Sequence, residues 1–241
     1  QVTYTDLSWN GTPTSWSWTF VGGTPSSSTL VSPTVTYTTP GQYLSSLRVS
    51  NSLGSKSASK SKYMLVKSVS SNRYTQDFEN TTIPGTDFYI ANKDKGTTWQ
   101  VTSTAGSSGA SSAYVNNMNM SNPGGQVDEL FGPGVYMASM LSPEFTFKVA
   151  YAQKTDTTND RLQVYLSSDC GNTWSMRYIK SGASLATAPK TTSAFIPNSS
   201  QWRKETISLT SSFTTKNNVQ FMFRFISDGG NNIYIDPLNF E

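Results

Sequence analysis

The chain has 241 residues, of which 14% are charged and 12% are aromatic, and its net charge is +3. The aromatic content excludes a disordered chain, and the small net charge argues against a nucleic-acid partner. Histidine is absent from the sequence, which excludes His-Glu-x-x-His zinc sites and Ser-His-Asp or Cys-His nucleophiles. We therefore predict that this chain is not an enzyme and holds no zinc. The sequence has no run of about 18 apolar residues, so we predict no membrane span.

Apolar residues recur at every second position in both halves of the chain, for example in residues 16–20, 162–166 and 221–225. This period predicts β-strands, and Pro-Gly, Gly-Gly and Asn-Gly pairs mark turns between them. The sequence lacks a sustained helical period, so we predict an all-β protein built from antiparallel sandwiches. The polar segment 69–74 predicts a linker between one domain at residues 1–68 and a larger one at residues 75–241.

Residues 1–68 carry a series of short motifs. A W-x-F strand, a P-x-V-x-Y strand, a P-G-x-Y turn and an L-x-V-x-N strand occupy positions 18–20, 33–37, 40–43 and 47–51. These motifs resemble the PKD family, which implies an immunoglobulin-like β-sandwich that acts as a spacer or weak binder. Trp18 and Phe20 lie two positions apart, so we expect both in the core. The acidic turn of that family is W-T-F-V-G-G here, without its carboxylates.

Residues 75–241 resemble a second family in the order of their landmarks. The landmarks are Gln76-Asp77-Phe78-Glu79, a D-x-G-x-x-W motif at 94–99, the run S-S-D-C-G-N-T-W at 167–174, and Ile233-Tyr234-Ile235-Asp236. They are similar to the MAM-like and cleaved-adhesin jelly rolls, a galactose-binding-like architecture of secreted Bacteroidetes proteins. The resemblance implies an antiparallel jelly-roll β-sandwich.

The two domains in tandem resemble the region that follows the catalytic domain in pappalysin-like secreted metalloproteases of Bacteroidetes. This resemblance implies a non-catalytic accessory region of a secreted or cell-surface bacterial protein. The partners that it implies are an extracellular protein or polysaccharide and the catalytic domain of the same parent chain, and we expect a monomer.

The second resemblance also implies a structural calcium ion. Calcium takes six to eight oxygen ligands, which a jelly roll can supply without histidine. Glu79 and Asp236 occupy the first and last strands, where members of the family often hold the ion. An alternative is that turn amides or a lysine satisfy these two carboxylates. The predicted ligands are Glu79 and Asp236, with Asn92 or Asp94 from the neighbouring acidic loop and with Asp77 and Asp128 as second-tier candidates.

Three functions stay open at the level of the sequence. The first is the accessory region of a secreted protease, and the second is a stand-alone adhesin or carbohydrate-binding module with exposed aromatic rings. The third is a hydrolase, which needs a pair of carboxylates across a cleft. Residues 169–174 resemble an Asp-box hairpin, which we expect to be structural. The aromatic residues predicted to bind a ligand are Trp99, Trp174, Trp202 and Tyr234.

Overall fold

The computed structural model describes residues 1–9, 11–70, 73–138, 140 and 142–241. The chain divides into two compact units, Gln1–Ser68 and Val69–Glu241. Both units consist of β-sheets, as the two-residue period of the sequence predicts, and the described helical turns lie in the second unit. The prediction of an all-β protein is confirmed.

The first unit contains a two-stranded sheet and a four-stranded sheet. Strands β1 and β4 pair in the small sheet, and the large sheet has the order β3-β2-β5-β6. The paired strands run antiparallel. The strands of this unit are β1 (Val2–Thr3), β2 (Ser15–Phe20), β3 (Ser27–Ser28), β4 (Thr34–Val35), β5 (Gly41–Asn51) and β6 (Gly54–Val66).

Alternation along β2 builds the core of the first unit. Trp18 and Phe20 are buried on one side of this strand and pack with Tyr4 and Val35. The Tyr4 hydroxyl lies 2.9 Å from the Ser45 hydroxyl, so the buried ring keeps its polar end hydrogen-bonded. The prediction that Trp18 and Phe20 belong to the core is confirmed.

The second unit contains twelve of the described strands. Between them lie the short helices α1 (Gly182–Leu185) and α2 (Ser211–Thr214) and two 3-10 turns, Asn117–Asn119 and Ser199–Gln201. The strands are β7 (Val69–Ser70), β8 (Tyr74–Gln76), β9 (Tyr89–Asn92), β10 (Trp99–Thr102), β11 (Ser112–Val115), β12 (Val127–Val135), β13 (Glu144–Tyr151), β14 (Arg161–Ser167), β15 (Ser175–Ser181), β16 (Arg203–Ser208), β17 (Val219–Ile226) and β18 (Ile233–Phe240).

These strands form two sheets that enclose one core. Sheet A has the order β10-β11-β18-β13-β16, and β8 pairs with the end of β18. Sheet B has the order β15-β14-β17-β12-β7, and β9 pairs with the start of β12. Strand β7 runs parallel to β12, whereas the long neighbouring strands run antiparallel. The arrangement is the predicted jelly-roll sandwich.

The predicted linker contributes to both sheets of the second unit. Val69 and Ser70 pair with Gly134 and Val135 in sheet B, and Tyr74 begins the strand that pairs with β18 in sheet A. Ser71 and Asn72 lie outside the described residues. The prediction that 69–74 is a linker is therefore wrong for its ends. Backbone hydrogen bonds alone can add a polar segment to the edge of a sheet, even where its sequence has no alternation of apolar and polar residues.

Phenylalanine rings fill the space between sheets A and B. Phe221 and Phe223 of β17 face Phe145 and Phe147 of β13, and the rings of Phe145 and Phe240 stack with centroids 4.2 Å apart. Burial of each such side chain contributes about 1.5–3 kcal/mol to folding. This core fixes the inward and outward faces of β12, β14 and β17, which carry the side chains considered next.

Candidate functional site

The outer surface of sheet B carries a row of large side chains. The register of five neighbouring strands aligns one residue from each of β9, β12, β17, β14 and β15. Tyr89 is 39% exposed at one end of the row and Met176 is 48% exposed at the other. The rings of Tyr89 and Phe131 lie 5.9 Å apart. The row consists of Tyr89, Phe131, Met222, Tyr165 and Met176.

A second row beside the first is mostly polar. Arg224 lies at its centre. Its Nε donates to Glu129 Oε1 over 2.8 Å, and its Nη1 donates to the Tyr165 hydroxyl over 3.2 Å. The guanidinium carbon also lies 4.6 Å from the centroid of the Tyr165 ring. The Tyr165 hydroxyl in turn donates to Gln163 over 3.1 Å. These contacts hold the guanidinium group and the phenol in fixed positions. The second row consists of Ala91, Glu129, Arg224, Gln163 and Ile179, and we call the two rows together the sheet B face.

Trp174 lies beside the sheet B face and belongs to the Asp-box hairpin. Its ring meets the Phe131 ring edge to face at 5.6 Å, and its indole donates to the Gly171 carbonyl over 3.1 Å. Asp169 accepts from the amide and hydroxyl of Thr173, and these hydrogen bonds lower the pKa of Asp169 to about 2. The contacts of Asp169 are those expected of a structural Asp-box.

The structure does not bring the four predicted ligand-binding aromatics together. Trp99 is 1% exposed, packs against core phenylalanines, and donates its indole N–H to the Asp128 carbonyl. Tyr234 is 2% exposed, and its hydroxyl donates to the carbonyl of Phe195. The prediction is wrong for both residues, because buried rings cannot stack on a ligand. Tyr234 faces away from the main core, but the segment that carries Phe195 covers it, and the sequence does not show that coverage.

Trp202 lines a separate open groove of about 630 Å³ on the outer side of sheet A. Its indole nitrogen is buried and has no hydrogen-bond partner among the described residues. Ala188, Pro189 and Lys204 lie along the same groove. Trp174 and Trp202 therefore lie on different sheets and do not form one surface.

Two of the predicted calcium ligands, Asp236 and Glu79, contact the loop formed by residues 105–111, and the charge of a third, Asp77, acts on Asp236. Asp236 on β18 accepts from the backbone amides of Ser107 and Ser108 over 2.6 and 2.8 Å. Glu79 accepts from the amide of Ser111 over 2.7 Å. Burial raises the pKa of Asp236, the loop amides oppose this rise, and the negative charge of Asp77 adds to it. The turn amides of the alternative interpretation are therefore present.

The other three predicted ligands form a second group at the end of sheet B. Register pairs Asn92 of β9 with Asp128 of β12, which is 1% exposed. Burial is the main cause that raises the pKa of Asp128 to about 6; the Thr98 hydroxyl opposes this rise, and the negative charge of Asp94 adds to it.

The two groups lie at opposite ends of β10. Thr98 precedes the first residue of that strand, whereas the strand's last residue pairs with Ser112, next to the 105–111 loop. A strand of this length separates its ends by roughly 10 Å. The six candidate ligands therefore do not share one site, and Asn92, Asp94 and Asp128 lie apart from Glu79 and Asp236. Among the described residues, no three His, Cys, Asp or Glu side chains form a group that could hold a metal ion, so any ion must also use hydroxyl, carbonyl or water oxygens.

Sequence reasoning missed the sheet B face. Its signal is present in four strands, where polar or aromatic residues occupy the positions between core residues, as in Glu129-Leu130-Phe131 and Gln163-Val164-Tyr165. What the sequence does not give is the register that aligns them into rows. Such alignment depends on the order of strands in the sheet, which connects β12, β17 and β14 out of chain order.

Comparison with known proteins gives a family match for the first unit and a shared fold for the second. Residues 1–62 match the family model of the PKD domain, which confirms the resemblance found in the first unit. No curated protein matches the chain. Among the described residues, no helix has the length and apolar character that crossing a membrane requires.

The solved structures that resemble the chain are β-sandwich domains. The K1 cleaved adhesin domain of Lys-gingipain from Porphyromonas gingivalis W83 is 19% identical, with a TM-score of 0.52 over 70% of this chain and 97% of that domain. The K3 cleaved adhesin domain of the same protein is 18% identical, with a TM-score of 0.50 over 70% of this chain and 97% of its own. At this identity the likeness shows the fold, which is that of the cleaved adhesin jelly rolls.

Proposed function

We propose that the chain is a non-catalytic accessory region of a secreted or cell-surface bacterial protein, and that its second unit binds an extracellular polysaccharide through the sheet B face. The observation that carries this proposal is the row of three aromatic and two methionine side chains beside a fixed Arg224. The first unit acts as a spacer, and the parent is a secreted zinc metalloprotease whose catalytic domain is a further partner. The alternative is a stand-alone adhesin or carbohydrate-binding module, which would use the same face.

The two rows of the sheet B face match the two kinds of surface on a sugar chain. An exposed aromatic ring such as Tyr89 packs against the apolar face of a sugar ring, and fixed polar groups such as Arg224, Glu129 and the Tyr165 hydroxyl bind hydroxyls. The row crosses five strands, which corresponds to about 19 Å at the usual strand spacing. This length suits an extended polymer better than a single small molecule.

Affinity electrophoresis through gels that contain soluble polysaccharides (xylan, mannan, β-glucan or pectin) tests this proposal. We expect at least one polymer to retard the chain, and we expect Tyr165→Ala and Tyr89→Ala to abolish the retardation. Tyr63→Ala is the matched control, because Tyr63 is a 53% exposed tyrosine in the first unit. Loss of binding in Trp202→Ala, with Tyr165→Ala unaffected, would move the site to the groove on sheet A.

A protein ligand is the second candidate, and β15 favours it. This strand forms the edge of sheet B and exposes Met176 and Ile179, each 48% accessible. An extended peptide can add to such an edge through backbone hydrogen bonds. Ile179→Lys would then abolish protein binding, whereas retardation by polysaccharide through the tyrosines would persist.

We further propose that a structural calcium ion binds at the 105–111 loop through Asp77, Glu79 and Asp236. Asp236 and Glu79 contact this loop, the charge of Asp77 acts on Asp236, and Asp236 Oδ1 and Glu79 Oε2 receive only hydroxyl hydrogen bonds, of 3.1 and 3.3 Å, among the described residues. These oxygens keep the capacity to bind a hard cation. A bound ion would join the loop to both ends of the unit and would stabilise the folded state by linkage.

Thermal unfolding in calcium and in chelator tests the calcium proposal. Calcium at about 100 times its dissociation constant adds about 2.7 kcal/mol. We expect Asp236→Asn to reduce the calcium-induced rise in Tm. Asp156→Asn serves as the control, because this exposed aspartate pairs with Lys190. An equal rise in Asp236→Asn and Asp156→Asn would mean that the loop amides alone satisfy Asp236.

A further inference from the structure

We propose that the first unit binds an anionic lipid surface through an apolar tip formed by Leu7, Trp9 and Leu53. The three side chains lie at one end of this unit and are 84%, 88% and 94% exposed. They are the most exposed of the large apolar side chains that the structure describes. The tip belongs to the first unit, so this inference is independent of the ligand proposed for the sheet B face.

Hydrogen bonds fix the segment that carries Leu7 and Trp9 against the start of β2. The indole of Trp16 donates to one carboxylate oxygen of Asp6 over 2.7 Å, and the amide of Ser8 donates to the other over 2.8 Å. Asp6 therefore anchors the residues on both sides of Leu7. Because Trp16 is the second residue of β2, this anchor lies at the end of the four-stranded sheet where β2 begins.

Leu53 lies at the same end of the sheet, in the turn of the hairpin between β5 and β6. Register places Ser15, the first residue of β2, opposite Ser50 near the end of β5. The Asn51 side chain then joins the two loops, because it accepts from the Leu53 amide over 2.9 Å and donates to the Thr12 carbonyl over 3.5 Å. The three apolar side chains are thus carried beyond one end of the sheet by two connected loops.

Positive charge accompanies the apolar tip. Residues 1–68 contain five Lys or Arg and one acid, Asp6, which gives a formal charge of +4, whereas the rest of the chain has thirteen Lys or Arg and fourteen acids. Arg48 and Lys56 lie beside the hairpin turn, where the Arg48 guanidinium donates to the Ser55 hydroxyl over 3.0 Å. Among the described residues, neither cation forms an ion pair, so both charges are available to an anionic surface.

The composition and the size of the apolar tip favour a lipid surface over a protein partner. Tryptophan is enriched at membrane interfaces, and anionic headgroups attract Lys and Arg side chains. A stable protein interface uses about 20–30 residues on each side, and three projecting side chains supply far fewer. Interfacial lipid binding needs only a buried apolar area together with electrostatic attraction. The tip offers both without a groove or a flat face.

Flotation of the full chain with lipid vesicles tests this proposal. We expect the chain to float with vesicles of phosphatidylglycerol and phosphatidylcholine, and to partition about tenfold more weakly into pure phosphatidylcholine. Sodium chloride at about 0.5 M should weaken binding to the anionic vesicles, because it screens the attraction. Trp9→Ser and Leu53→Ser should each lower the partition coefficient by about tenfold or more, since each removes a large apolar side chain from the lipid.

A matched control and a charge variant complete the experiment. Val21→Ser should bind like the unmodified chain, because Val21 is a 51% exposed apolar residue that follows β2 at its opposite end. Lys56→Ala should weaken binding to anionic vesicles about fivefold and leave binding to neutral vesicles unchanged. Each variant changes an exposed residue, so Tm should stay the same.

Two results would overturn the proposal. One is an unmodified chain that does not float with anionic vesicles, and the other is equal flotation of Trp9→Ser, Leu53→Ser and Val21→Ser. If light scattering shows a dimer that Trp9→Ser converts to a monomer, and neither form floats, the apolar tip is instead a contact between copies of the chain.

Discussion

The close approach of Gly132 to Phe221 allows a sharp test of how β12 packs on the core. A Cβ added at Gly132 would come closer to the Phe221 ring than 3.0 Å, a distance that real Cβ atoms essentially never show. The ring cannot move aside freely, because Phe145 and Phe240 each lie 5.3 Å from it, centroid to centroid. We therefore expect Gly132→Ala to overpack the core and to destabilise the second unit.

The size of the effect follows from the rigidity of these neighbours. Overpacking of a well-filled core by one methyl group costs about 1–3 kcal/mol. For a unit of this size, each kcal/mol lowers Tm by about 2–4 °C. We expect Gly132→Ala to lower Tm by roughly 2–12 °C in differential scanning calorimetry, with a matching loss in urea-induced unfolding.

Gly124→Ala is the matched control, since no described atom lies within 4 Å of a Cβ added there. The same chemical change should leave Tm unchanged or raise it slightly, because alanine restricts the unfolded chain. Combining Gly132→Ala with Phe221→Leu should recover part of the lost stability, since the smaller side chain makes room for the methyl group. Equal Tm values for Gly132→Ala and Gly124→Ala would refute the packing described for β12.

Two further predictions concern aspartates with opposite surroundings. Asp160 is fully buried and accepts hydrogen bonds from two backbone amides, a tyrosine hydroxyl and an asparagine amide. Asp160→Asn turns its NH2 group toward these donors. We expect the free energy of unfolding in urea to fall by about 1–3 kcal/mol. Asp169 has a pKa lowered to about 2, so its contribution to stability is complete above the unfolded value of 3.8 and is lost as the pH falls toward 2. Carboxyl carbon NMR should show a titration midpoint near 2 for Asp169 and a higher one in Thr173→Ala, which removes the hydroxyl donor but keeps the backbone amide and Ser167.

Much of the fold could be predicted from the sequence because alternation and turns are local signals. Trp18 and Phe20 lie two apart on one strand, and their burial follows from that spacing. Residues 69 and 70 show the limit of this reasoning. Nothing in their side chains indicates a strand, and their pairing with β12 depends on a sheet edge that residues 134–135 supply from elsewhere in the chain.

The aromatic residues show a second limit. The sequence identifies which side chains are large, but burial depends on what covers each face of a sheet. Trp99 lies between the sheets, and Tyr234 lies under a loop that contains Phe195. Tyr165, which the sequence did not single out, is half-buried on the outer face of sheet B because β14 directs it away from the core.

The carboxylates show a third limit, which is one of spatial proximity. Asn92, Asp94, Asp77 and Glu79 lie within a short stretch of sequence, so one shared site was a natural prediction. The chain between them crosses from sheet A to sheet B, and the residues therefore reach opposite ends of β10. The partners that decide the chemistry of each group, Ser107 and Thr98, carry no recognisable motif.

Arg224 allows stability and binding to be separated at the sheet B face. Its guanidinium binds Glu129 and covers the Tyr165 ring, and a lysine cannot form both contacts. The Arg224 and Glu129 side chains are 32% and 16% exposed, so the loss in unfolding free energy from Arg224→Lys should stay near 1 kcal/mol.

If the guanidinium also binds ligand hydroxyls, affinity for a retarding polysaccharide should fall about tenfold in Arg224→Lys, which corresponds to one lost hydrogen bond of about 1.4 kcal/mol. Glu129→Gln removes the same ion pair but leaves the guanidinium in place and should bind more tightly than Arg224→Lys. Equal affinities in the two variants would assign Arg224 a role in strand pairing alone.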